Sequence, residues 1–167
     1  PATETGEVAG EHGLVLDGLS VGYDGQPVLS GIDVALPERG LVTVQGESGA
    51  GKSTLLATLL VILPPLAGSV RLSGQPVTDP TEVFGWVPQS LDLMRGSLRD
   101  NLTMGRPVDD HDVHTALEDA GMASAVAALA DGLDHTLAED GSGLSGGQRQ
   151  RLSIARALLT HPAVLLL

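Results

Sequence analysis

The chain has 167 residues, no cysteine and a formal net charge of −12. Disulfide frameworks and thiolate metal sites are therefore excluded, and so is a surface that tracks a nucleic-acid backbone, which needs clustered Lys and Arg. The length predicts one domain that buries roughly 70% of its unfolded surface.

Residues 1–12 are small, polar and acidic without periodicity, and read as a linker rather than a signal peptide. Leu14 to Tyr23 alternates apolar and polar residues before the turn pair Asp24-Gly25, which predicts a strand. Val28 to Leu36 predicts a second strand, closed by Pro37 and Gly40. Leu41 to Gln45 (LVTVQ) is a β-branched run typical of a buried strand. Lys52 to Leu63 is apolar nearly all round and predicts a buried helix. The apolar stretch Leu55–Leu63 is about half of the ~20 residues that a membrane span requires. Ser69–Ser73 and Val83–Val87 predict short strands.

From Ser97 to Ala130 the pattern turns helical. Asp109 or Asp110 is placed to cap a helix that Gly121 ends, and Met122–Ala130 predicts another. Asp140 to Gly147 is a glycine-rich loop. Gln148 to Leu159 is amphipathic, with Leu152, Ala155 and Leu159 on one side and Arg149 and Arg156 on the other. Ala163 to Leu167 (AVLLL) closes the chain as a buried-strand run. Strands, a helical block and a return to a strand predict an α/β core with a helical insertion. Trp86 and Phe84 are expected in the core. His111 and His114 are three residues apart on a predicted helix, and are expected on a solvated face rather than at a metal.

Gly46-Glu47-Ser48-Gly49-Ala50-Gly51-Lys52-Ser53 fits G-x-x-x-x-G-K-[ST] at every fixed position, with Thr54 next, a strand before and a helix after. Glycines let backbone N–H groups turn inward around a phosphate. The helix that follows aims its positive end at the same anion. Lys52, the only lysine in the chain, adds charge for the β- and γ-phosphates. Ser53 offers a hydroxyl to Mg²⁺, an ion that keeps most of its waters.

Leu144-Ser145-Gly146-Gly147-Gln148, followed by Arg149-Gln150-Arg151 and Ala155-Arg156-Ala157, is a second helix start preceded by a hydroxyl and two glycines. LSGGQRQR resembles the ABC signature motif, and the run from Leu14 to Leu167 resembles the first two-thirds of an ABC nucleotide-binding domain. The resemblance implies a phosphate-loop NTPase core with an N-terminal antiparallel β-subdomain and an inserted helical subdomain. It divides the chain into a linker at 1–12, a β-subdomain with the phosphate-loop core at 13–89, a helical subdomain at 90–158 and a return to the core at 159–167.

The same resemblance supplies roles. Tyr23 matches the aromatic that stacks on adenine, and Val28 an apolar contact to the base. Gln89, in WVPQS, matches the glutamine that touches Mg²⁺ or the attacking water and senses a transmembrane partner. Gly46, Ser48, Gly49, Gly51, Lys52, Ser53 and Thr54 would hold ATP. Ser145, Gly147 and Gln148 would reach the γ-phosphate of ATP on a second, head-to-tail copy. SLDLMRGSLRDNLTMG and the segments Gly132–Asp134 and Glu139–Gly141 are exporter-like. His135, Thr136, Ala138 and Met94 depart from that pattern. The implied function is Mg-ATP binding and hydrolysis that drives export, at the cytoplasmic face of a membrane and beside a transmembrane domain. The alternative is a soluble ABC-type ATPase. The family's pattern continues after AVLLL with an Asp for Mg²⁺ and a Glu for the attacking water. The 167 residues end before them, so this stretch alone is expected to be nearly inactive and its AVLLL strand to lack a neighbour.

Overall fold

The computed structural model describes residues 13–90, 92–138 and 143–167. The expected linker at 1–12 and the exporter-like Glu139–Gly141 lie outside them. The chain forms two compact units, divided between Pro80 and Thr81.

The first unit is a four-stranded antiparallel sheet with one helix. Its strands are β1 (Leu14–Tyr23), β2 (Gln26–Ala35), β3 (Ala67–Leu72) and β4 (Gln75–Pro76), in the order β2-β1-β3-β4. β1 buries Leu14 and Leu16, then Leu19 and Val21. That one-residue change of phase is a bulge: Gly18 has φ 56, and the pairing with β2 shifts between Leu16 and Leu19. The Gly18 amide donates to Asp33 Oδ1 at 2.6 Å, which fixes the extra residue. β1 turns into β2 through Asp24 and Gly25, both at positive φ (50 and 76). This is the two-residue hairpin turn that the Asp-Gly pair favours.

Helix α1 (Lys52–Leu59) buries Thr54, Leu55, Thr58 and Leu59. It is shorter than expected and buried along one stripe, not all round. Val61 turns left-handed at φ 55, an unfavourable conformation for a β-branched residue, and Val61 and Ile62 are exposed.

The expected strand Leu41–Gln45 does not form. Leu41 is 84% exposed, and among the described residues no strand pairs with this run. Without a neighbour to take its backbone N–H and C=O groups, β-branched composition alone makes no ladder. AVLLL behaves in the opposite way and has a partner, described next.

In the second unit, β5 (Phe84–Trp86) pairs in parallel with β8 (Val164–Leu166). Phe84 is buried as expected, whereas Trp86 is 40% exposed. A Cβ on Gly85 would lie 2.7 Å from Pro162 Cγ, so this close pairing requires glycine. The short pair β6 (Gly96–Ser97) and β7 (Thr136–Leu137) joins four helices: α2 (Leu98–Thr103), α3 (Asp110–Asp119), α4 (Ala123–Ala127) and α5 (Gly146–Leu158). Leu98, Leu102, Val113, Leu117, Met122, Leu137 and Leu152 form its core. Asp109 caps α3, its carboxylate accepting from the His111 amide at 2.8 Å. His111 and His114 are exposed on that helix, and among the described residues no group of three His, Cys, Asp or Glu is arranged to hold a metal. No helix among them is long and apolar enough to cross a membrane.

α2 opens on a reciprocal cap. Ser97 Oγ accepts from the Asp100 amide at 3.0 Å, and Asp100 Oδ2 accepts from the Ser97 amide at 3.2 Å. Ser97→Ala is expected to cost about 1 kcal/mol, measured by denaturant unfolding. The Ser97 hydroxyl and then the Ser97 amide hold the Asp100 carboxyl below its ordinary 3.8. A carboxylate with a depressed folded pKa adds stability that is fully present above its unfolded value and is lost as pH falls through the folded one. The stability gap between the wild type and Asp100→Asn should therefore close as pH drops below 3.8. A gap constant from pH 7 to pH 2 would contradict it.

Candidate nucleotide site

The first unit gathers the phosphate loop and the residues expected at the base. Gly49 (φ 84) and Gly51 (φ 93) both take left-handed conformations, which reverse the peptide planes of the loop between them. Gly51 also precedes α1 at its N-terminus. A Cβ there would lie 2.8 Å from Val28 Cγ1 and 2.9 Å from Leu29 Cγ, so β2 packs directly on the loop.

α1 has no side-chain cap. Ser97, Asp109 and Ser145 cap α2, α3 and α5, whereas α4, like α1, has no side-chain cap. The first-turn amides of a helix have no partner within the helix, so at α1 they present a partial positive charge with no side-chain acceptor. Lys52 Nζ folds back over the loop and donates to the Gly46 and Glu47 carbonyls, both at 2.7 Å. An ammonium has three donors, and two of them here fix its position. Ser48 and Ser53 are exposed at the loop and at the first turn of α1. Uncapped amides, one ammonium and two hydroxyls form an arrangement that can bind a polyanion.

Tyr23 ends β1 with its ring half exposed, and its hydroxyl lies 3.4 Å from the Thr54 hydroxyl on α1. Tyr23, Val28 and the run Gly46–Thr54 are thus brought together by β1, β2 and α1. The expected strand Leu41–Gln45 contributes only chain without a strand partner before the loop.

Gln89 and the Ser145–Gln148 group belong to the second unit. Gln89 follows β5 and is exposed. Ser145 caps α5: its Oγ accepts from the Gln148 amide at 3.2 Å, and Gln148 Oε1 accepts from the Ser145 amide at 2.7 Å. The serine and glutamine expected to contact a phosphate here satisfy one another. Gly146 and Gly147 are exposed, and a Cβ on Gly147 would meet nothing within 4 Å.

Arg149 and Arg156 are not a solvated face. Arg149 Nη1 donates to the Leu144 carbonyl at 2.8 Å. Arg156 reaches inward to Asn101, a residue with no assigned role in the sequence pattern. The available signal was Asn101 itself, a polar residue on the stripe between Leu98 and Leu102, where the helical period places a core position.

The family profile described as ABC transporter matches residues 29–167. The chain belongs to the ABC transporter family. It is an ATP-binding domain homologous to those of exporters. An ATP-dependent lipid A-core flippase of Alcanivorax borkumensis (strain ATCC 700651 / DSM 11573 / NCIMB 13689 / SK2) is 39% identical over 159 residues, which is 90% of this chain and 27% of the flippase. An ABC-type transmembrane transporter, verA, of Clonostachys rogersoniana is 40% identical over 149 residues, covering 84% of this chain and 12% of that protein. The structure of a bacterial Atm1-family ABC exporter with ATP bound superimposes with a TM-score of 0.79 and 31% identity, covering 95% of this chain and 29% of that one. The chain therefore spans less than a third of the length of each of these relatives.

Proposed function

We propose that the chain is the part of an ABC exporter that binds Mg-ATP, and that the whole transporter hydrolyses ATP to move a substrate outward. The observation that carries this is the start of α1. It is uncapped, it follows a glycine at φ 93, and Lys52 is fixed over the loop by two carbonyls. The exporters among its relatives favour a membrane partner over a soluble ATPase.

In this reading the amides from Gly46 to Gly51 and the first turn of α1 wrap the phosphates. Lys52 adds charge at the β- and γ-phosphates, and Thr54 closes the loop beneath them. Tyr23 and Val28 take the two sides of the adenine; stacking on an aromatic ring contributes about 1–3 kcal/mol. Ser53 and Gln89 would hold Mg²⁺, which when bound neutralises charge on the phosphate oxygens.

Each ATP is completed by Ser145, Gly147 and Gln148 of a second copy arranged head to tail, at the cytoplasmic face and against a transmembrane domain. Gly147 supports this arrangement. Glycine inside a helix costs about 1 kcal/mol relative to alanine, yet no neighbour within the described chain requires a small residue there. Close approach by a partner's nucleotide does require one.

The test is ATP turnover by the longer transporter in lipid vesicles. Ser145→Arg puts a bulky cation where the partner's nucleotide would approach. It is expected to lower turnover about 100-fold, the cost of losing one preorganised donor to a reacting phosphate, while ATP binding at the phosphate loop persists. A wild-type transporter without ATP turnover would contradict the ATPase assignment, and an active Ser145→Arg variant would contradict the two-copy site.

A further inference from the structure

The second unit contains a buried polar cluster that none of the roles above uses. Asn101 lies on α2 between Leu98 and Leu102 with 0% of its surface exposed. Its Oδ1 accepts from the Met94 amide at 2.8 Å, and its Nδ2 donates to the Met94 carbonyl at 2.8 Å and the Ser97 carbonyl at 3.0 Å. One side chain thus holds the loop at both Met94 and Ser97. Arg156, on α5, adds the second grip. Its Nε donates to the Asn101 carbonyl at 2.8 Å, and its Nη1 to the Asp92 carbonyl at 3.3 Å. The Asn101 carbonyl is in the last turn of α2, where carbonyls have no partner within the helix and a cation is favoured.

A buried amide adds little net stability through its hydrogen bonds, but removing it leaves the Met94 amide and the Met94 and Ser97 carbonyls without the partner that Asn101 gives them, at the desolvation cost of each group that is buried. Burial also pushes the Arg156 guanidinium below its ordinary range, and its Nη2 is buried without a partner. A cluster this demanding contributes shape more than stability. Every bond it makes outside itself goes to backbone of the segment Asp92–Ser97, which begins three residues after Gln89. Its other end is α5, the helix that starts at Ser145, eleven residues and roughly 16 Å from Arg156 along the helix.

We propose that Asn101 and Arg156 are positioning residues that fasten the segment after Gln89 to the signature helix, so that the two move as one body. The proposal rests on the reading above that Gln89 and Ser145 both serve the nucleotide. A displacement at either end is then transmitted to the other, and a transmembrane partner sensed near Gln89 resets the partner copy's nucleotide through α5. Removing the fastening slows turnover without weakening the phosphate loop's hold on ATP.

The experiment measures turnover against ATP concentration in the vesicle-reconstituted transporter, for the wild type, Asn101→Leu, Arg156→Gln and Arg156→Lys. Asn101→Leu keeps the volume of the core, while Met94 and Ser97 lose their side-chain partner. The variant is expected to lower kcat tenfold or more with the ATP KM within twofold, and to lower the thermal midpoint by only a few degrees, the cost of the backbone groups left unpaired. Arg156→Gln should act alike, and Arg156→Lys, which keeps the cation and a donor, should recover part of kcat. Hydrogen exchange in the 167-residue chain should show the Met94 amide exchanging at least tenfold faster in Asn101→Leu, with the amides of α5 unchanged. Wild-type kcat in Asn101→Leu, or kcat falling together with a thermal midpoint lowered by more than a few degrees in both Asn101→Leu and Arg156→Lys, would overturn the proposal. Ser145→Arg is run beside them. If it is inactive while Asn101→Leu is normal, only the fastening fails; if it is active, the two-copy site fails as well.

Discussion

Gly51→Ala is expected to cost the chain roughly 2–5 kcal/mol and to lower its ATP affinity at least tenfold. Two independent penalties add. A residue with a Cβ at φ 93 has a left-handed conformation that costs about 1–2 kcal/mol. The new Cβ would also lie 2.8 Å from Val28 Cγ1 and 2.9 Å from Leu29 Cγ, and overpacking of this kind costs about 1–3 kcal/mol. Relief requires the Val28 and Leu29 side chains to give way or the loop to open, and opening the loop displaces the amides that precede α1. Gly49→Ala separates the two effects. Its φ of 84 carries the same strain, but its Cβ would meet nothing within 4 Å, so only about 1–2 kcal/mol is expected. Denaturant unfolding of both variants beside the wild type reads the difference. Equal losses at the two positions would mean that contact with β2 does not govern the loop.

Leu152→Ala is expected to destabilise the second unit by about 2–5 kcal/mol, the usual range for a fully enclosed leucine. Leu152 is 0% exposed and sits in the core of that unit with Leu98, Leu102 and Leu137. Its loss leaves a cavity that several elements would have to collapse together to fill. Arg151, the exposed neighbour on the same helix, is the control: Arg151→Ala should stay within about 0.5 kcal/mol of the wild type. Urea titration followed by helical circular dichroism would show it, as a midpoint shift in one variant and none in the other. A Leu152→Ala chain as stable as Arg151→Ala would mean that α5 is not the wall of this core.

How far the sequence was legible depended on whether the signal was local. The glycine turns and the helix start of Gly46–Ser53 were readable, because they are encoded within eight residues, but the strand expected before them does not form. One cap was readable as well: Asp109, read with Asp110 as the alternative, precedes α3, whereas the caps Ser97 and Ser145 were not read as such. β1 was visible as alternation, although the bulge at Gly18 was not. Pairing was harder to read. LVTVQ and AVLLL look alike in composition, yet only the second has a strand beside it, in β5, because a ladder depends on what lies next to it in space. Side-chain reach was also hidden. Arg156 occupies a helix position that charge alone assigns to solvent, but its long side chain crosses to Asn101. Likewise, the link from Tyr23 to Thr54 joins residues 31 apart and has no local trace.

The proposed ATP site is the loop before α1, with Lys52 and the uncapped amides behind Gly51 as its donors. A calorimetric titration of Mg-ATP into the 167-residue chain, beside Lys52→Ala, tests it most directly. Saturable binding by the wild type in the micromolar to millimolar range is expected, with at least a tenfold loss when the ammonium is removed. Equal affinity in the two proteins, or no binding by a wild-type chain with its folded circular dichroism spectrum, would contradict it.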